Sequence, residues 1–333
     1  MNQHALWLSE KDVTSLVSLD DAIIALESGL RALGSGQGFN VPKALESFGD
    51  GSAMHSLGSA LPAAGYCGFK NWVHTKSGAK ALFMLFNTQG SLVAIMEAAA
   101  LGQLRTSAMT GLGTKWLAPK GVDDMAIIGS GRQAITQIAA VNAVRPLKRI
   151  RVWSPTPGKR GAFATEVRKR FDAEVLEANA LEQALEGAPL VTLVTRARDP
   201  FVSAAMLAHG AHLNAIGAIL PANAEFHQDV FARVGTIAVD DLTNAQKASR
   251  EFIEYFGASG WESVQTLGDV IANGVKPSGK GDVSLFKAMG MGISDLSVAM
   301  LAYERAGAAG LGRPIELSDS ASAPIHWASS KPA

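Results

Sequence analysis

The stretch Met125-Ala126-Ile127-Ile128-Gly129-Ser130-Gly131-Arg132-Gln133-Ala134 constrains the rest of the chain. A short apolar run ends in Gly-x-Gly, and the Ala/Val-rich residues after it predict a helix to about Val144. This is the order of the first strand, turn and helix of a dinucleotide-binding unit. Gly129 permits the tight turn, Gly131 lets the backbone approach a pyrophosphate, and the small Ala134 lets helix and strand pack closely. The helix N-terminus offers free N–H groups and a positive dipole end to phosphates. A lone Gly-x-Gly would suit a plain glycine turn in a parallel sheet equally well. Here a strand precedes it, a helix follows, and a second strand (Ile150 to Trp153) comes at the right distance, which favours a dinucleotide held by Gly129, Ser130, Gly131, Arg132 and Gln133.

The rest of the chain predicts two regions. Residues 9 to 34 read as a helix entry and an amphipathic helix that Ser18 or Asp20 can cap, with Ile23, Ile24, Leu26, Leu30 and Leu33 on its apolar stripe. From Phe39 to Ala98 short runs alternate with turns: 53–57, 66–73, 81–86 and 91–97, the last two joined by the turn Asn87-Thr88-Gln89-Gly90. That pattern predicts a mainly antiparallel α+β region, closed by a helix over 102–117. After Trp153 a βα rhythm continues, with helices over 160–171 and 180–186 and strands at 173–176, 190–195, 212–217 and 236–240. Residues 241–282 read as polar and helical, 296–306 as an Ala-rich terminal helix, and the tail from Gly310 as loose. The fold class is therefore α/β: a Rossmann dinucleotide-binding region follows the Pro119-Lys120-Gly121 boundary, behind an N-terminal α+β region.

Composition narrows the function classes. Of 333 residues, 47% are hydrophobic and 18% charged, so most segments can be buried. Lys+Arg and Asp+Glu are each 30, and the formal net charge is zero, which argues against a nucleic-acid or membrane partner. Zero net charge is tolerable where an oligomer hides apolar surface. The single Cys67 excludes an intramolecular disulfide framework and fits a reducing compartment. No signal-peptide pattern stands at the N-terminus and no run reaches membrane-spanning length, so a cytoplasmic protein is expected. No metal-ligand cluster is expected.

The residues after the second strand bear on cofactor choice. NAD-specific units usually place an Asp or Glu there, on the ribose 2′-hydroxyl. This chain has Trp153-Ser154-Pro155-Thr156-Pro157-Gly158-Lys159-Arg160, without a carboxylate. Ser154, Thr156, Lys159 and Arg160 suit a 2′-phosphate, which favours NADP(H) over NAD(H). An exposed turn whose cations start a helix is the plainer alternative. Thr195, at the end of the 190–195 strand, is placed with the cofactor residues.

Two further signals bear on the substrate. In Leu104-Arg105-Thr106-Ser107-Ala108, an arginine amid small helical residues is costly to bury unless it meets an anion; a salt bridge to Glu97 is the structural alternative. In Gly68-Phe69-Lys70-Asn71 a lysine ends an apolar strand, where snorkelling is the alternative. His55 and His74 read as structural polar residues.

Taken in order, Gly-Phe-Lys, Leu-Arg-Thr-Ser-Ala, Ile-Gly-Ser-Gly-Arg-Gln-Ala, Leu-Asn-Ala-Ile-Gly-Ala and the late Ser284-Leu285-Phe286-Lys287-Ala288-Met289-Gly290-Met291 resemble the ornithine cyclodeaminase/mu-crystallin family over nearly the whole chain. The resemblance implies a homodimer of two-part chains: an α+β substrate-binding and dimerisation domain over 1–118 and 295–333, rejoined by the C-terminal helix, and a Rossmann dinucleotide-binding domain over 119–294. It also implies Lys70 and Arg105 as the catalytic pair that binds the substrate carboxylate, and Thr106 beside the cofactor phosphates. Lys43 stands in the place of a further substrate-binding arginine, as a point charge instead of a bidentate fork. Leu82 replaces a family threonine. Ile219 falls where the family's cyclodeaminases carry the aspartate proposed as acid/base, and an isoleucine cannot move a proton. It suits an apolar wall against the ring of a cyclic imine. The expected reaction is therefore NADPH-dependent reduction of a small cyclic imine carboxylate. The alternatives are an amino-acid dehydrogenase or open-chain imine reductase, an NADPH-binding protein without turnover, and, last, a cyclodeaminase.

Overall fold

The computed structural model describes residues 4–49 and 51–318. The strands are β1 (His4–Leu8), β2 (Phe39–Phe48), β3 (Ser52–Leu61), β4 (Tyr66–Thr75), β5 (Gly78–Asn87), β6 (Leu92–Glu97), β7 (Asp124–Ile128), β8 (Arg149–Trp153), β9 (Glu174–Glu177), β10 (Leu190–Leu193), β11 (His212–Ala215), β12 (Val234–Val239), β13 (Gln265–Thr266), β14 (Val283–Lys287) and β15 (Arg313–Glu316). The helices are α1 (Glu10–Leu16), α2 (Leu19–Gly34), α3 (Ala99–Leu117), α4 (Ala134–Val144), α5 (Pro157–Arg170), α6 (Leu181–Leu185), α7 (Leu242–Ala248), α8 (Arg250–Phe256), α9 (Leu267–Asn273) and α10 (Gly292–Ala309).

Alternation along the N-terminal strands separates two faces of a seven-stranded sheet, ordered β15-β1-β6-β5-β4-β3-β2. One cross-strand row runs Leu57, Lys70, Phe83, Met96, Leu8, and all five are buried. Helix α10 packs on this face against β3 and β4, and also against α2 and α3. The next row on the opposite face, Val41, Gly58, Phe69 and Met84, is covered by none of these helices, and Phe69 lies across Gly58, where a Cβ would meet its ring at 2.5 Å. The antiparallel expectation holds for β2 to β6, whereas β1 joins β6 in parallel.

The second sheet is an eight-stranded parallel one, ordered β13-β12-β14-β11-β10-β7-β8-β9. Both faces are packed: Met125 and Ile127 of β7 join one core, Ala126 and Ile128 the other. This explains the unbroken apolar run that opened the sequence reading. The strand order reverses between β7 and β10, and a ligand crevice forms at the carboxyl ends of strands at such a point.

Several sequence expectations need correction. Residues 9–34 form two helices, because Ser9 with Asp12 and Ser18 with Asp21 each make a capping box, and the extended Val17 and Ser18 break the run. Strands β1 and β2 lack clear signals: β1 is too short for a periodic pattern, and β2 carries Pro42 beside a register shift, which only an edge strand tolerates. The segment after Gly310 contributes β15, paired with β1. Most telling is β14, which inserts between β11 and β12 although Ser284 and Lys287 interrupt its apolar pattern. Lys287 is fully buried there and reaches Glu251 at 3.3 Å.

Candidate active site

Two elements bring cations to one point, and a third brings the carboxylate between them. Lys70 projects from the covered face of β4, and Arg105 from α3. Asp295, in the first turn of α10, receives both: Lys70 Nζ at 2.9 Å and Arg105 Nε at 3.3 Å from the same Oδ1. The Asp295 side chain is fully buried. One buried carboxylate for two cations leaves a positive charge uncompensated, and a buried charge of that kind calls for an anion. Burial lowers the Lys70 ammonium to a pKa of about 8; Asp295 opposes the shift and Arg105 adds to it.

The geometry of α3 is set from outside it. Its N-cap, Ala98, has no capping side chain, and Glu10 of α1 fills that role by accepting from Ala99 N–H at 2.6 Å and Ala100 N–H at 2.7 Å. Glu97 accepts from Glu10 N–H at 2.9 Å, so the expected alternative, a Glu97–Arg105 pair, is replaced by a capping contact. Gly102 leaves room for Lys70, whose Nζ would lie 3.1 Å from a Cβ at that position.

Lys43, at the register shift of β2, joins the cluster. Its backbone N–H donates to Asn244 Oδ1 at 3.4 Å, and Asn244 Nδ2 donates to Gly290 O at 2.9 Å. Gly290 has φ +89°, a value that favours glycine, and it lies beside the Arg105 guanidinium, whose Nη1 would be at ordinary contact distance, 3.5 Å, from a Cβ there. Asp240, buried at the end of β12, accepts from the N–H groups of Met289 at 2.8 Å and Gly290 at 2.7 Å. Its burial raises its pKa to about 6 despite those donors. Burial, then Arg105, lowers the Lys43 ammonium, and Asp240 partly restores it. The two sheets therefore meet at the cation cluster.

His55 lies on the same face of β3 as Leu57 and stacks on Trp72, with ring centroids 4.4 Å apart and planes 1° from parallel. Lys70 Nζ sits 5.1 Å and Lys43 Nζ 6.0 Å from the Trp72 ring centroid. Burial, then Lys43, hold the His55 pKa at about 4, so the imidazole is neutral at physiological pH. Its Nδ1 is buried without a hydrogen-bond partner among the described residues. Ile219 stands on the loop after β11 and is 38% exposed. Leu82 pairs with Asn71 on the opposite face of β4 and β5 from Lys70, away from the cluster.

At the switch point, Gly129 has φ +122°, a value that disfavours a side chain, and a Cβ there would meet Val194 O at 2.7 Å. Gly131 faces open space and Arg132 is exposed. Gln133 caps α4 through its backbone. Ser130 Oγ donates to Ser154 Oγ at 3.0 Å, which joins the turns after β7 and β8. Gln103 Nε2 donates to Arg132 O at 2.9 Å, and Ser107 Oγ to Thr136 Oγ1 at 2.7 Å, so α3 runs beside the glycine turn. Thr106, on that stretch, back-bonds to Gly102 O at 2.7 Å. The open backbone at Gly131, the strained turn at Gly129 and the helix behind them fit a dinucleotide pyrophosphate.

Two expected cofactor contacts are already engaged. Arg160 is buried, donates to Ser154 O at 3.2 Å and pairs with Glu177 at 3.4 Å. Helix α5 begins at Pro157, earlier than the sequence suggests, and consecutive helical residues point about 100° apart. Lys159 consequently faces solvent while Arg160 turns inward, and a carboxylate from β9 is present where sequence showed none. The Thr195 hydroxyl donates to Glu225 Oε1 at 2.8 Å and accepts from Ala197 N–H at 3.2 Å. Asp295, Asp240 and Glu225 escaped the sequence reading. Asp240 carries a signal, a carboxylate directly after the apolar run of β12, whereas Asp295 and Glu225 stand in mixed polar and apolar sequence that gives none.

This arrangement can be set beside known proteins. Residues 3–310 match the ornithine cyclodeaminase/mu-crystallin family. The chain belongs to that family. An alanine dehydrogenase of Archaeoglobus fulgidus is 32% identical over 93% of this chain and 98% of its own. The Thermococcus litoralis Δ1-pyrroline-2-carboxylate reductase, solved with NADH and L-proline, has a TM-score of 0.86 at 25% identity, covering 93% of this chain and all (100%) of that one. An archaeal alanine dehydrogenase dimer with bound NAD also has a TM-score of 0.86, at 27% identity, covering 95% of this chain and 100% of its own. The expected fold class, a Rossmann sheet with an α+β partner, is the one observed.

Proposed function

We propose that this oxidoreductase reduces a small cyclic imine carboxylate, of the Δ1-pyrroline-2-carboxylate or Δ1-piperideine-2-carboxylate type, to the cyclic amino acid with NADPH. The observation that carries the reading is the convergence of Lys70 and Arg105 on the single carboxylate of Asp295, beside a switch point built for a dinucleotide. The Thermococcus litoralis relative, which holds NADH and L-proline, supports the same chemistry.

In this reading Arg105 and Lys70 clamp the substrate carboxylate, with Lys43 as a third cation, and so aim the imine carbon. Asp295 holds both side chains in place. The nicotinamide, when bound, supplies the hydride to that carbon. The substrate enters as the protonated iminium, so no side chain needs to deliver a proton. Ile219 offers the ring an apolar wall and cannot serve as the acid/base of a cyclodeaminase. Gly129, Ser130, Gly131, Arg132, Gln133 and Thr106 would hold the pyrophosphate. Thr156 and Lys159, both exposed, would take the 2′-phosphate, with Ser154 behind them.

The same reading divides the chain into a substrate and dimerisation part, 1–118 and 295–333, and a dinucleotide part, 119–294. The uncovered face of the first sheet exposes Phe39, Val41, Met54, Phe69, Val73 and Leu82, and a second copy of this chain would cover it. The dimer of the archaeal alanine dehydrogenase supports this. The lone Cys67 and a reducing cofactor suit the cytoplasm; no helix among the described residues is long and apolar enough to cross a membrane.

A second reading, alanine dehydrogenase, is favoured by the 32% identity to the Archaeoglobus fulgidus enzyme. The deciding assay offers five- and six-membered cyclic imine carboxylates with NADPH or NADH, beside pyruvate with ammonia, and ornithine. Faster NADPH consumption with either cyclic imine supports the proposal. Preference for pyruvate and ammonia selects the second reading, and ammonia released from ornithine rejects both.

A further inference from the structure

The carboxylate of Glu225 is fully buried and receives four hydrogen bonds from two loops. Its Oε1 accepts from Thr195 N–H at 2.7 Å and Thr195 Oγ1 at 2.8 Å; its Oε2 accepts from Gly217 N–H at 2.9 Å and Ala218 N–H at 3.1 Å. Those donors belong to the segments that leave the carboxyl ends of β10 and β11. Because Glu225 follows Ala218 by seven residues, the same contact closes the loop that carries Ile219. The two segments also touch directly, since a Cβ on Gly217 would fall 2.1 Å from Thr195 O.

Behind Glu225 stands a second buried set. Glu225 N–H donates to Glu251 Oε1 at 3.0 Å, the same oxygen that meets Lys287 Nζ at 3.3 Å, and Ser249 Oγ donates to Glu251 Oε2 at 3.1 Å. Apolar side chains of similar volume would be at least as stable as three buried charges, so stability does not account for them. Geometry does. A buried carboxylate fixes four donors at once with an accuracy that apolar packing lacks.

We infer that Glu225 is the positioning residue of the nicotinamide end of the site, holding the loops after β10 and β11, and with them Ile219, in the shape that accepts the dinucleotide. This rests on the dinucleotide reading above. It assigns to Thr195 a different part from direct cofactor contact: its N–H and its hydroxyl both bind Glu225 and lock the loop.

The test is fluorescence titration of NADPH into the full-length wild type, Glu225→Gln, Thr195→Val and Asp282→Asn, with thermal melting of each. Glu225→Gln turns an amide N–H₂ toward backbone N–H donors and should weaken NADPH binding at least about tenfold. Thr195→Val removes one of the four bonds and should weaken binding severalfold with a small change in Tm. Asp282 lies away from the crevice, where it holds Arg233 at 2.6 Å, so Asp282→Asn should lower Tm and leave NADPH affinity unchanged. Unchanged affinity in Glu225→Gln, or in Thr195→Val should the former fail to fold, overturns the inference alone. A wild type that binds neither NADPH nor NADH overturns the dinucleotide reading beneath it.

Discussion

Lys70 Nζ and Asp295 Oδ1 lie 2.9 Å apart although 225 residues separate them in the chain. The pair joins the central antiparallel strand β4 to the helix that returns after the whole parallel sheet has formed. Both side chains are buried, and Arg105 shares the same oxygen. Removing the carboxylate leaves two buried cations facing each other. Asp295→Asn should therefore cost roughly 3 to 5 kcal/mol in denaturant unfolding. In the double variant Lys70→Met/Asp295→Asn the combined loss should be well below the sum of the single losses. Additive losses would mean that the contact contributes little.

Lys70 also predicts a pH profile. Its pKa is lowered by burial to about 8, so the ammonium is charged below that pH and neutral above it. If Lys70 holds the substrate carboxylate, kcat/KM should fall as pH rises through about 8, since this ratio reports the free enzyme. Lys70→Arg keeps its charge across the range, and should lower kcat/KM at pH 7 yet flatten that alkaline limb. A limb that survives the substitution would assign the titration to another group.

The two cations of the α5 turn should respond differently. Lys159 is exposed, so Lys159→Ala should raise KM for NADPH by about three- to tenfold, leave KM for NADH unchanged, and reduce the salt dependence of the NADPH value. Arg160→Ala instead leaves the buried Ser154 O without its donor and the half-buried Glu177 without its cation. It should lower Tm and affect the two cofactors alike. Selective loss of NADPH in Arg160→Ala would show that the side chain swings out to the phosphate.

Phe69 and Val41 are 39% and 49% exposed on the uncovered face of the first sheet. Phe69→Asp, which puts a charge at the middle of that face, should convert a dimer to a monomer in light scattering coupled to size exclusion. The circular dichroism spectrum should be retained, because the row of Leu57, Lys70, Phe83 and Met96 on the other face is untouched. A dimer that persists would place the interface elsewhere.

The Rossmann sheet was readable because a strand buried on both faces is a continuous apolar run, and a glycine turn followed by an Ala-rich helix marks the switch point. β14 was hidden for the same reason in reverse: Lys287 breaks the run, and the buried lysine is made tolerable by Glu251, 36 residues earlier, with the charge of Glu225 nearby. Arg160 shows the limit of reading side chains from spacing. Sequence placed it beside Lys159, but the helix start fixed which of the two turns inward. The two-strand edge β1–β15 joins the chain's ends, a pairing for which neither segment carries a local signal.

By itself, the sequence determined the glycine turn between strand and helix, the α+β and α/β regions, and two cations whose burial would call for an anion, because these follow from periodicity, glycine geometry and the cost of burying charge. The tertiary structure decided what those cations meet. Asp295 meets Lys70 and Arg105, Asp240 meets the N–H groups of Met289 and Gly290, and Glu225 meets Thr195, so each carboxylate is joined to a segment tens to hundreds of residues away. A charge pattern along one chain does not encode such a meeting; it exists only once packing has excluded water and brought distant elements to within hydrogen-bond reach.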